Sequence, residues 1–200
     1  MLSTLATVKS RLALDPLFVD FDDLLTTALT AISARFDRET NRTLTRTANS
    51  TFEFDASETE IIPPCYPIES VSKFETKSTE AEGWIEQTGI DFLVRNRCLL
   101  SLAQPLHATR STLFAPSGRT TYTGGYVLPG TTPSAGQTPL PADLEQAAVE
   151  QVAAWFQHRD KLGLDTSWPH AATYEKFVQL PLLISVQTVL KRYERFVLAL

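Results

Sequence analysis

The sequence predicts an α+β protein, mainly a bundle of α-helices with an antiparallel β region inserted into it. Three observations predict this. Apolar residues recur at three-and-four spacing near both ends of the chain. Between Thr45 and Val127 that spacing gives way to short runs rich in Phe, Ile, Val and Thr, bounded by turn residues. A proline- and glycine-bearing stretch, Pro129 to Pro141, then separates the β region from the last helices. The 200 residues are expected to form a single domain, with N-terminal helices over 1–44, β structure over 45–128, a loop over 129–141 and C-terminal helices over 142–200.

Residues 3 to 13 form a short helix in this reading, capped by Ser3 or Thr4 and broken at Asp15-Pro16. A longer helix runs from Phe21 to Arg42. Its apolar side is Phe21, Leu24, Leu25, Ala28, Leu29, Ile32 and Phe36, and Asp22 and Asp23 suit its positive start. Candidate strands follow at Ser50–Phe54, Glu60–Ile62, Ser70–Thr76, Gly83–Ile85, Phe92–Arg95, Cys98–Leu100 and Arg119–Thr123. Asn96-Arg97 reads as a hairpin turn, although it lacks the usual glycine. A third helix spans Ala142 to Leu162, with Pro141 at its entry and Gly163 just past its end. A fourth starts near Pro181 and continues toward the C-terminus, with Leu182, Val186, Val189, Leu190, Tyr193 and Val197 on one face.

Bulk properties narrow the function. The chain is 43% hydrophobic and 20% charged, with a net charge of −5. That balance argues mildly against a protein that grips nucleic acid through clustered Lys and Arg, and does not exclude a channel through which DNA slides without sticking. Cys65 and Cys98 show no Cys-x-x-Cys spacing and read as reduced thiols in or near the core. Lys9 and Arg11 follow the short apolar N-terminal stretch, so no signal peptide is expected. The most apolar segment, Leu180 to Leu190, is too short to span a bilayer. The expected product is a soluble protein made in a cytoplasm, with no membrane partner.

Catalytic signatures are missing from the sequence. It holds no Gly-x-Ser-x-Gly, no phosphate-cradling glycine loop and no His-Glu-x-x-His, and His107, His158 and His170 lie far apart. Asp20, Asp22 and Asp23 are explained by helix capping and the helix dipole. No catalytic residue, cofactor or metal is therefore expected. Arg35, Arg38, Arg42 and Arg46 are the most suggestive charges. They face DNA, or an acidic neighbouring subunit, or simply solvate a helix end. Trp155 reads as core or interface, and Trp168, beside Pro169, stays open between the two.

The run Tyr122-Thr-Gly-Gly-Tyr126, followed by Leu140-Pro-Ala-Asp-Leu144 opening a long helix, contains no catalytic group. Together with the helix Asp22 to Arg42, the segment Tyr66-Pro-Ile-Glu-Ser-Val-Ser72 and the helix Ala147 to Arg159, it resembles the head–tail connector proteins of tailed phages, also called adaptor or head-completion proteins. These stretches cover about a third of the chain. The long β region between Phe74 and Arg119 and the tail beyond Gly163 depart from the family pattern. The resemblance implies a non-enzymatic virion protein of the neck, made in the host bacterial cytoplasm. Copies of it would form a ring, dodecameric by the family pattern, beneath the portal. The ring would extend the DNA channel without sequence-specific binding and carry the next neck, stopper or tail protein. The family uses its C-terminal segment against the portal. Here that implies an interface of Leu182, Val186, Tyr193, Phe196, Val197 and Leu200, with Trp168 beside them. The alternative reading is a tail terminator or tail-completion ring, which is expected to be richer in strand.

Overall fold

The computed structural model describes residues 1–106, 116–159 and 181–195. The described residues form four helices and nine strands, which fall into two compact units. The first comprises Met1–Thr40 and Leu140–Glu194, and the second Asn41–Pro139 joined by Arg195.

The first unit is helical: α1 (Leu5–Arg11), α2 (Asp22–Thr40), α3 (Ala142–Gln157) and α4 (Ile184–Arg192). Thr4 caps α1, its Oγ1 accepting from the Thr7 N–H at 3.2 Å. The spacing Leu25, Leu29, Ile32, Phe36 buries one stripe of α2, and Leu144, Ala148 and Val152 bury one stripe of α3. Leu24, expected on the buried side, is 49% exposed. Gln151 is buried on α3, where its Oε1 accepts the Leu183 N–H at 2.8 Å and fastens the entry to α4. A buried amide is stable there because that entry supplies a backbone donor. α2 ends two residues earlier than the spacing predicts. Asn41 adopts a left-handed conformation (φ 50°), a common helix stop that asparagine tolerates.

The second unit is built from strands. One sheet has the order β1 (Thr47–Asp55), β7 (Ser117–Gly124), β3 (Ile68–Lys77), β4 (Ile85–Gln87). Another has the order β2 (Glu60–Ile61), β6 (Leu99–Leu102), β5 (Phe92–Arg95). Every pairing within these two sheets is antiparallel. Phe54, Phe74 and Tyr122 from the first sheet and Ile61, Leu100 and Leu102 from the second share one buried core. The turn at Asn96-Arg97 joins β5 to β6 as expected. Both residues are left-handed (φ 50° and 56°), and the Cys98 N–H donates to the Arg95 carbonyl at 3.1 Å.

The expectation of a mainly helical bundle is wrong. About 27% of the described residues are strand against about 32% helix, and the fold is β-rich. The β region does enter between α2 and α3, but it is a compact unit that buries a core of its own. Helical periodicity is conspicuous in a sequence, whereas short strands leave weaker signals. The stretch Pro129–Pro141 also ends in structure: β9 (Thr138–Pro139) pairs in parallel with β8 (Tyr126–Val127).

Candidate assembly surfaces

The glycine-bearing run is where the β unit is tied together. β7 reaches Gly124 with the backbone of residues 65–67 against it. A Cβ at Gly124 would lie 2.4 Å from the Cys65 carbonyl oxygen and 2.9 Å from that of Pro67. Gly125 is left-handed (φ 98°), and a Cβ there would lie 2.7 Å from the Thr45 carbonyl oxygen. The close approach lets the Gly125 N–H donate to Pro67 (2.9 Å), the Tyr126 N–H to Leu44 (2.8 Å) and the Arg46 N–H to the Tyr126 carbonyl (2.9 Å). Tyr122, fully buried, accepts the Cys65 N–H on its hydroxyl at 3.0 Å. Tyr122→Phe removes that acceptor inside the core and is expected to cost about 1–2 kcal/mol, read by urea unfolding of the full chain.

Arg42 closes this junction. Its guanidinium lies 3.4 Å from the centre of the Tyr66 ring and 5.6 Å from that of Tyr126, and it donates to the Tyr66 carbonyl. It is 5% exposed. Arg42 is therefore part of the β unit's interior and not the last charge on a helix face. Arg46 meets Glu69 with a forked contact, Nε to Oε1 and Nη2 to Oε2, both at 2.9 Å. Arg35 pairs with Glu39 one turn on at 3.5 Å, and Arg38 is exposed. Sequence spacing thus does not bring the four arginines together. α2 stops between Arg38 and Arg42, so the last two belong to the second unit.

An ionic row crosses the first sheet. Glu75 on β3 takes Lys73 at 3.0 Å and Arg119 at 2.9 Å, and the Arg119 guanidinium lies 4.1 Å from the centre of the Trp84 ring. Burial pushes the Glu75 carboxyl up, but hydrogen bonds from Lys73 and Arg119 outweigh it. The net result lies below the usual carboxylate range. A carboxylate lowered in the folded state stabilises the fold above its unfolded pKa, and that contribution is lost as pH falls through the folded value. Glu75→Gln is therefore expected to flatten the acid limb of stability against pH, measured by thermal melts from neutral pH downward.

Among the described residues of the helical unit, apolar side chains are exposed at Leu183 and Ile184, at the start of α4, and around the α1–α2 loop. Leu17 is 88% exposed, with Phe18, Val19 and Leu24 beside it. The loop is held from beneath. Lys9, buried on α1, donates to the carbonyls of Pro16 (3.2 Å) and Phe18 (2.8 Å) and pairs with Asp22 at 2.6 Å. Spending a buried ammonium on two loop carbonyls fixes the loop with its apolar side chains outward.

The predicted C-terminal interface divides. Leu182 and Val186 are buried in the helical unit, and the Tyr193 hydroxyl donates to Asp143 at 2.7 Å. Trp168, Phe196, Val197 and Leu200 lie outside the described residues, as do His107 and His170. His158 ends α3, its ring nitrogen 2.8 Å from the Ala154 carbonyl oxygen. Among the described residues no three His, Cys, Asp or Glu side chains gather as metal ligands, and no helix is long and apolar enough to cross a membrane. Sequence reasoning missed the exposure of β5. Its signal was there, since Phe92, Leu93 and Val94 are three successive apolar residues in a strand too short to bury both faces.

A helical unit that carries a two-sheet β unit between its second and third helices is a fold that solved structures share. It occurs in the neck of the empty gene transfer agent particle, solved with C6 symmetry. That chain aligns with 99% of this chain and 92% of its own length, at a TM-score of 0.56 and 15% identity. A chain in the neck of the native particle, solved with C12 symmetry, aligns with 98% and 90% at 0.52 and 15% identity. A chain of the native virion aligns with 99% and 92% at 0.55 and 14% identity. At such low identity the likeness establishes the fold. It agrees with the connector resemblance of the sequence motifs. No protein-family model and no curated protein sequence matches the chain.

Proposed function

We propose that this chain is a structural protein of the neck of a tailed-phage-type particle. Copies form a ring, twelve in number, beneath the portal. The ring extends the DNA channel and offers a platform to the next neck, stopper or tail protein. The observation that carries this reading is the full-length likeness to neck chains, found by structure and approached independently through the order of the sequence motifs. The role is assembly and not catalysis.

The charges support a channel that does not hold its cargo. The chain is net acidic, and Arg35, Arg42 and Arg46 are engaged within it by Glu39, Tyr66 and Glu69. Cations so engaged have little left for phosphates. The clamped Leu17–Val19 loop and the segment holding Trp168, Phe196, Val197 and Leu200 are the proposed contacts to the portal. Each contact is weak alone, but a ring engages many at once. Mixing the purified chain with its portal and imaging the product tests the reading. Rings capping the portal are the expected result, and portals left bare at saturating chain contradict it.

A further inference from the structure

Among the described residues the two sheets of the β unit leave two open flanks. β1 and β4 end the first sheet, and β2 and β5 end the second. Contacts across the core fix which ends coincide. The Phe92 ring on β5 meets Phe74 on β3, the neighbour of β4, with centroids 5.3 Å apart. Arg195 donates to the Ile62 carbonyl beside β2 at 3.0 Å and stands 5.1 Å from the centre of the Phe52 ring on β1. One flank is therefore β4 with β5, and the opposite flank is β1 with β2.

The flanks differ in chemistry. All four residues of β5 are exposed, Leu93 to 65%, and Ile85 on β4 is 51% exposed. Natural edge strands are usually blunted by Lys, Pro or a bulge. β5 has none of these, and its single charge is Arg95, with Arg97 following in the turn. Glu86 and Asp91 lie on this flank too, away from the turn. The opposite flank exposes Glu53, Asp55 and Glu60. Its acids crowd one another: burial raises the Glu58 carboxyl, and the charge of Asp55 raises it further.

We infer that β5 of one copy adds edge-to-edge to β1 of the next copy, with Arg95 set against Glu53 and Asp55. The occupant of the apolar edge is thus a second copy of this chain. The inference rests on the neck-ring reading and names the surfaces that close the ring. A ring needs two different and complementary faces on each subunit, and opposite flanks of one sandwich provide them. Backbone hydrogen bonds between the open edges supply affinity, and the charge pair sets which edge is chosen.

The test places cysteines at Arg95 and Glu53 in the full chain, singly and together, and assembles particles with each variant. A short bismaleimide, which joins two thiols as thioethers, is added, followed by denaturing electrophoresis. The expected result is a ladder of multimers from the double variant and monomer from both single variants, which also controls for Cys65 and Cys98. Monomer alone from the double variant, with the chain present in the neck, overturns the inference while leaving the neck reading intact. Dimers from Arg95→Cys alone assign a symmetric β5–β5 contact and overturn it as well. Particles that lack the chain altogether sink the neck reading, and the inference with it. A second arm reads incorporation into particles. Arg95→Glu is expected to lose it, and adding Glu53→Arg to the same chain to restore it. Loss without restoration counts against the pairing.

Discussion

Gly124→Val is expected to destabilise the protein by about 3 kcal/mol or more and to lower its melting temperature by roughly 10 °C. The reason is local and severe. The added Cβ would sit 2.4 Å from the Cys65 carbonyl oxygen, a backbone atom that no rotamer change can move. Relief requires β7 to retreat from residues 65–67. That retreat stretches the hydrogen bonds from Cys65 to Tyr122, from Gly125 to Pro67 and from Tyr126 to Leu44. Differential scanning calorimetry of the full chain reads the effect. A melting temperature within about 2 °C of the wild type would show that the strand has room to shift.

The second large effect belongs to Arg42. Arg42→Ala removes a planar cation stacked on Tyr66 and leaves a void between two aromatic rings, at an expected cost of about 3 kcal/mol. Arg42→Lys is expected to recover little, because an ammonium neither stacks on the ring nor reproduces the guanidinium's fixed donor geometry. Arg42→Met separates shape from charge. It fills the space without the desolvated cation, and should cost about half as much as the alanine. Chemical denaturation of the three variants gives the order. Equal stability of all three with the wild type would mean that Arg42 is solvated in solution and not stacked.

These two residues also mark where the sequence was legible. The helical stripe Leu25–Leu29–Ile32–Phe36 was readable because one face of a helix repeats over many turns. Most strands were placed within two residues, and the Asn96-Arg97 turn was found without its glycine. Arg42 was misread for a definite reason. Its spacing from Arg35 and Arg38 fits one helical face, but Asn41 turns left-handed and ends the helix first. What Arg42 meets instead lies 24 residues away at Tyr66, beyond the range of any local pattern. The glycines were noticed as a motif, yet their necessity comes from backbone at residues 45–46 and 65–67, again invisible locally. The parallel pair β8–β9 is two residues long and left no periodicity to read.

The greater share of strand has a functional consequence. A tail-terminator ring is expected to be richer in strand, and the strand content here narrows that contrast, although helices flank the β unit on both sides. The alignment of 99% of this chain with 92% of a neck chain shows a shared fold, and the proposed connector reading rests on it. It spans both units, so the β-rich region that departs from the sequence family pattern has a counterpart in that neck chain.

Symmetry-averaged cryo-electron microscopy of the particle's head–tail junction tests the central claim most directly. The account expects a ring of density directly beneath the portal into which copies of this fold can be built, with DNA or its channel passing through the middle. Density for the chain at the tail's distal end, or a complete junction with no copy of it, would contradict the account.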